Sequence, residues 1–234
     1  MKVAKLFVVR LGVPIAAIIL LAGCGSSNRL HEYDFSDAGV AVVANIPPRP
    51  AVFTDQLYDA RIDPEDVLGS VFRVGSAVMK HAAARKAQQR MDSALAYVDV
   101  ADRVARRALR ESAPTLGYRP VPVPAAADFI LDIRIADYGL VADSWEAEAH
   151  FEVDAAMLLI DRRTREVIWK KRVREIEPVA RAFPAWGTTF GNVYTAHALS
   201  KLSVEEMIEA LEHLADFTAE RLTATLRHDF YASR

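Results

Sequence analysis

Three stretches of the chain alternate apolar and polar residues with a period of two. Across 128–135 the apolar positions are Phe129, Leu131, Ile133 and Ile135, set against Asp132 and Arg134. Across 145–159 they are Trp145, Ala147, Ala149, Phe151, Val153, Ala155, Met157 and Leu159, set against Glu146, Glu148, His150, Glu152 and Asp154. Across 167–173, Val167, Trp169 and Val173 oppose Lys170 and Arg172. This alternation predicts antiparallel strands with one dry and one wet face. The polar run Asp161-Arg162-Arg163-Thr164-Arg165-Glu166 joins the last two as a hairpin, which sets Glu152 and Asp154 across from the basic residues. An earlier β-branched run, Gly39–Asn45, predicts a first strand, broken by Ile46-Pro47-Pro48-Arg49-Pro50.

Helical periodicity marks three further stretches, with loops at 51–62 and 178–202. Asp63-Pro64-Glu65-Asp66 reads as a helix start, with Val67, Val71, Val74 and Val78 as a stripe running to about residue 90. Its basic end (Lys80, His81, Arg85, Lys86, Arg90) suits the helix dipole and needs no ligand. A second helix is expected over Asp99–Ser112, stopped by Pro114 and Gly117. Ser203-Val204-Glu205-Glu206 forms a capping box that opens a long helix striped by Met207, Leu211, Leu214, Thr218, Leu222 and Leu226. The fold class is therefore α+β: a small, mainly antiparallel sheet with helices packed on one face and a long C-terminal helix.

The first residues do not fit that domain. Lys2, Lys5 and Arg10 precede an apolar run, Leu11–Leu21, too short for a membrane span of about 20 residues. Leu21-Ala22-Gly23-Cys24 follows and resembles, position by position, the lipobox of bacterial lipoprotein signal peptides. The resemblance implies cleavage between Gly23 and Cys24, a diacylglyceryl thioether on Cys24, and fatty acylation (palmitate) of its new amino group. It divides the chain into a signal peptide, 1–23, a polar tether, 24–38, and one periplasmic domain, 39–234. Glycine rather than aspartate at residue 25 favours the outer membrane, facing the periplasm, over the inner one. Cys24 is also the only cysteine, so the chain has no internal disulfide and no Cys-rich metal site.

Composition narrows the function further. Without Lys2, Lys5 and Arg10, 26 basic residues stand against 31 acidic ones, taking the net charge from −2 to −5. Such a domain offers no general attraction for nucleic acid. His150 with Glu148 and Glu152 supplies ligand types on one strand face, but no partner H-x-H or H-E-x-x-H is present, so these read as a solvated face with no metal. Glu209 and His213 share a helix face and read as a surface pair, while His197 and His228 are scattered. There is no G-x-S-x-G, S-x-x-K or phosphate loop, and Gly69-Ser70 and Gly75-Ser76 fall within a helix. Asp132, Asp137 and Asp143 occupy ordinary strand and loop positions. The expectation is a non-enzyme without cofactors. The aromatic loop carrying Phe183, Trp186, Phe190 and Tyr194 is the candidate partner-binding stretch, against the plainer reading that it plugs the end of the core.

Two segments, Ala127–Ile135 and Asp161–Trp169, followed by a helix, resemble periplasmic α/β accessory lipoproteins of the curli-secretion, penicillin-binding-protein-activator and ABC-transport-auxiliary types. That resemblance implies a non-catalytic lipoprotein that binds envelope proteins in a transport, secretion or wall-synthesis assembly. The alternatives are a lipid or small-molecule carrier with a cleft between sheet and helices, and an envelope hydrolase. Oligomeric state is left open by the sequence.

Overall fold

Phe129–Val141 forms the long central strand of the protein, and its burial follows the sequence alternation only as far as Ile135. We call it β4 in a computed structural model that describes residues 28–47, 50–52, 82–83, 85–144, 146–183 and 195–233. A bulge at Ala136 inserts one extra residue, with Ile135 opposite Ala155 but Asp137 opposite Asp154. The side-chain period then slips by one, and Tyr138 and Leu140 take over the dry face. The strand therefore runs past the predicted end at Ile135, because a bulge breaks the alternation without breaking the ladder.

Strands β5 (His150–Asp161) and β6 (Val167–Pro178) complete an antiparallel meander with β4. The predicted start of β5 at Trp145 is too early: Trp145 lies outside the described residues, and pairing to β4 begins at His150. Strand β6 continues five residues beyond the predicted Val173. On the dry face Ile133, Met157 and Leu159 are fully buried, and so is Trp169 on the edge strand.

Three shorter strands join in parallel. Gly39–Asn45 (β1) pairs with β4, Val40 opposite Phe129, and Ala51–Val52 (β2) resumes along β4 at Gly139 and Leu140 after the proline-rich break. Arg119–Pro120 (β3) pairs with the start of β1. The sheet is thus mixed, ordered β3-β1-β4-β5-β6 with β2 beside β4.

Two helices cover the dry face. Helix α2 (Val100–Leu116) opens on Asp99, whose side chain accepts from the Asp102 backbone N–H at 2.9 Å. Contrary to the sequence reading, Pro114 does not end it: the ring sits inside the last turn, where one lost helical bond is tolerated. Gly117 ends it, left-handed at φ 82°, its N–H bonding the Ala113 carbonyl. Helix α5 (Val204–Ala232) starts on the predicted capping box, with Ser203 and Glu206 exchanging bonds of 3.1 and 2.7 Å. Before α2, residues 85–94 form helix α1 and bury Ala87, Met91 and Ala94. The earlier part of the helix expected from residue 63 lies outside the described residues. Two short helices, α3 (Val179–Ala182) and α4 (Ala196–Leu199), flank the described ends of the aromatic loop. No helix among the described residues is long and apolar enough to cross a membrane.

The other sheet face carries charge. Arg134 reaches Asp132 at 2.6 Å, Arg172 pairs with Asp154, and Arg174 bonds Glu152 at 2.9 Å. Each β5–β6 pair is diagonal, since Asp154 stands opposite Arg174 in the ladder.

Candidate functional site

Residues 28–35 are built onto the outer edge of β6. Asn28 forms an antiparallel bridge with Trp169, and the Arg29 N–H donates to the Ile168 carbonyl at 2.9 Å. The Asn28 side-chain amide donates to the Asp229 backbone carbonyl at 3.2 Å, linking this segment to the end of α5. The Asn28 side-chain oxygen Oδ1 accepts from the Leu30 N–H at 3.3 Å, just before a single 3-10 turn, Leu30–Glu32. Leu30 is 0% exposed and Phe35 2%, and Phe35 meets Phe129 edge-on with ring centroids 5.0 Å apart. The stretch read from sequence as tether therefore contributes two core residues, and only four positions separate Cys24 from the first bridged residue.

Asp229 closes the junction from the helix side. One carboxylate oxygen accepts from the indole Nε1–H of Trp169 at 3.0 Å and from Lys171 Nζ at 3.3 Å. The other lies 3.3 Å from His228 Nδ1. Burial alone pushes this carboxyl up, but bonds from Trp169, His228 and Lys171 outweigh it and hold it below the ordinary aspartate range. Beside it, Arg29 bonds Glu166 at 3.4 Å and its guanidinium sits 5.9 Å from the Tyr33 ring.

A second polar cluster joins the two covering helices. Arg103 grips Asp216 with two bonds of 2.9 and 3.0 Å and reaches Glu212 at 3.1 Å. Arg107 bridges Asp216 at 2.7 Å and Glu111 at 2.6 Å. Arg103, Arg107, Glu111 and Asp216, with Arg106 and Arg110, line a cleft of about 660 Å³. Burial raises the Asp216 carboxyl, but the two arginines more than reverse this and leave it below its usual range. The arrangement is a paired network that fastens α2 to α5. Its lining is charged, so it does not provide the enclosed apolar cavity that a lipid carrier needs.

The predicted site residues fall into two groups. Gly23, Cys24, Trp186, Phe190 and Tyr194 lie outside the described residues. Phe183 is half-buried, packing edge-on against Phe151 with centroids 6.0 Å apart and 5.2 Å from the His213 ring. His213 in turn sits 2.7 Å from a Glu177 oxygen on β6. This end of the loop plugs the core. The acids weighed for chemistry are engaged locally: Asp132 by Arg134, Glu152 by Arg174, and Asp137 by the Tyr138 N–H at 2.9 Å. Among the described residues no group of three potential ligands converges on a metal position.

Sequence reasoning missed the Asn28–Trp169–Asp229 junction, whose members are far apart in the chain. The arginine cluster did leave a signal: Arg103, Arg107 and Arg110 repeat at helical spacing opposite the apolar stripe of α2.

No family model matches the chain, and no curated protein matches it. Among solved structures, a PelC dodecamer from Paraburkholderia phytofirmans is similar over 85% of this chain and 94% of that chain, at 11% identity and TM-score 0.29. A point variant of that PelC aligns over 75% and 89%, at 9% identity and TM-score 0.28. A protein of family DUF330 from Xanthomonas campestris aligns over 83% and 89%, at 8% identity and TM-score 0.28. Likeness at this level transfers neither activity nor assembly to this chain.

Proposed function

We propose that this chain is a non-catalytic accessory lipoprotein of the bacterial cell envelope, anchored through Cys24 and acting by binding envelope proteins. The observation that carries the reading is the placement of Asn28. A lipobox-like tetrapeptide ends at Cys24, and four positions later the chain is already bonded into the edge of the sheet. Two or three acyl chains on that cysteine, at about 0.8 kcal/mol per buried CH₂, hold a protein on a bilayer stably. Glycine at residue 25 favours the outer membrane.

The binding role draws support from the side of the domain left open among the described residues. Strand β6 carries its bridge at Trp169 and runs on to Pro178 as a sheet edge. Val43 and Ile176, 44% and 57% exposed, lie among the paired charges of the wet face. An edge and a charged face of this kind suit protein partners better than a small substrate.

The test is acylation of the chain and capture of its neighbours in the envelope. Metabolic labelling with a fatty acid should mark the wild-type protein and not Cys24→Ser. The variant should leave the membrane fraction, and crosslinks to envelope proteins should weaken with it. Labelling that survives Cys24→Ser, or an unlabelled wild type, overturns the anchor. Turnover of an envelope substrate by purified protein overturns the non-catalytic reading.

A further inference from the structure

The anchor reading has a geometric corollary. Four residues span at most about 14 Å when fully extended. An acylated Cys24 therefore keeps the Asn28 end of the domain close to the lipid headgroups. That end also holds the β5–β6 turn: Arg29 bonds the Val167 carbonyl and Glu166, the residues that leave the turn. The opposite end, with exposed Asp143 and Ser144 between β4 and β5, lies a strand length away, roughly 40 Å for the twelve residues of β5.

The turn is basic and stiff. Its sequence is Asp161-Arg162-Arg163-Thr164-Arg165-Glu166. The Asp161 carboxylate accepts from the backbone N–H groups of Arg163 and Thr164 at 2.8 and 2.9 Å. Arg165, at φ 62°, returns its N–H to the Asp161 carbonyl at 2.8 Å. The Arg162 side chain bonds the Ala127 carbonyl, and its backbone N–H donates to the Asp128 carbonyl at 3.0 Å. Most acids of this end are engaged internally: Asp161 by the turn, Asp128 by the Gly39 N–H at 2.8 Å, Glu166 and Glu32 by Arg29, and Asp34 by the Ser36 N–H at 2.9 Å, while Asp37 stays exposed. Arg163 and Arg165 are exposed; Arg163 attracts the Asp161 carboxylate, but among the described residues neither guanidinium is in a hydrogen bond or a close ion pair. Two more exposed side chains belong to segments that reach this end of the domain. Tyr231, 62% exposed, ends α5 just beyond Asp229, and Val123, 50% exposed, precedes the Pro124–Ala126 turn that Arg162 braces.

We infer that the β5–β6 turn is a membrane-contacting foot, with Arg163 and Arg165 binding anionic phospholipid headgroups and Tyr231 and Val123 seated at headgroup depth. This rests on acylation at Cys24. The bilayer is the occupant because the anchor leaves this end nowhere else to face and because its charge is complementary. Tyrosine at a bilayer interface keeps its ring in the apolar margin and its hydroxyl in water. Each arginine near an anionic surface strengthens attraction about fivefold. The two together orient the domain, leaving the wet face and the β6 edge standing away from the lipid for partners.

The experiment uses the full processed protein in vesicles of phosphatidylcholine, with or without phosphatidylglycerol. Thr164→Cys or Asp143→Cys carries a fluorophore, and a headgroup spin label quenches it. Intact mass is read first, to establish the acyl groups on Cys24. The Thr164 probe should be quenched several-fold more than the Asp143 probe. Phosphatidylglycerol should increase that quenching, and high salt or the pair Arg163→Glu and Arg165→Glu should abolish the increase. An unacylated mature mass overturns the anchor reading and this inference with it. Acylated protein whose two probes quench equally, or whose Thr164 probe ignores both phosphatidylglycerol and salt, overturns the foot alone.

Discussion

The buried indole of Trp169 gives its N–H to Asp229 across 3.0 Å, joining the edge strand to the last turns of α5. Because Asn28 stands opposite Trp169 in a bridge and its side chain bonds the Asp229 carbonyl, one pair of side chains organises the place where the amino-terminal segment enters the domain.

Removing the acceptor is more costly than neutralising it. Asp229→Ala leaves a fully buried donor without a partner, which costs about 1–3 kcal/mol. Asp229→Asn keeps an oxygen for the indole and loses the exposed contact with His228 and the attraction to Lys171, a surface-type pair worth about 0–1 kcal/mol. Urea unfolding should therefore rank wild type, Asp229→Asn and Asp229→Ala in that order. Equal midpoints for the two variants would show that the charge, not the indole bond, matters.

Acid should weaken the fold through three carboxylates. Asp154, Asp216 and Asp229 are all held below the ordinary value of 3.8 in the folded chain. A depressed pKa means that unfolding takes up protons. The stabilisation is complete above the unfolded value and disappears as pH falls through the folded values. Urea midpoints should be flat from neutral pH to about pH 5 and then decline below about pH 4. In Asp216→Asn the decline should be shallower, because the contribution from Arg103 and Arg107 no longer titrates.

Gly117 offers a cleaner test of backbone conformation. A Cβ at this position would meet only Ser36 atoms 4.0 Å away, so space is not the constraint. Its φ of 82° is. Gly117→Ala should cost about 1 kcal/mol, which is 2–4 °C in melting temperature for a domain of this size. Gly117→Asn should cost less, since asparagine tolerates the left-handed region better. A neutral Gly117→Ala would mean that the helix end had rearranged.

Local patterns carried the elements, and distant pairings did not. The capping box at Ser203 and the alternation of β5 show directly in the sequence because the residues involved are neighbours. The bulge at Ala136 hid the second half of β4, since one added residue swaps the two faces and the apolar positions stop matching period two. The parallel union of β1 with β4 left no trace, because Val40 and Phe129 are far apart in the chain, with α1 and α2 between them. The junction at Asn28 was obscured by composition: Leu30 and Phe35 sit among polar residues typical of a linker, and nothing local marks Leu30 as fully buried.

With the anchor proposed at Cys24, Leu30 would link the stability of the domain to its retention at the membrane. Truncation to alanine removes a fully buried side chain and should cost about 2–5 kcal/mol, depending on how far Tyr33 and Phe35 collapse into the space. The loss falls on a segment held otherwise by a few bonds to β6 and α5, so residues 28–35 should open before the sheet does. Trypsin cuts after arginine, and Arg29 is protected in the folded protein by its backbone bond to Ile168 and by Glu166. In Leu30→Ala, cleavage at Arg29 should accelerate by at least tenfold if opening costs about 1.4 kcal/mol less. On the proposed anchor the cut would leave a short acylated peptide in the bilayer and release the rest, so the readout is domain in the supernatant of protease-treated vesicles. Release at the wild-type rate would show that Leu30 does not hold the amino-terminal segment in place.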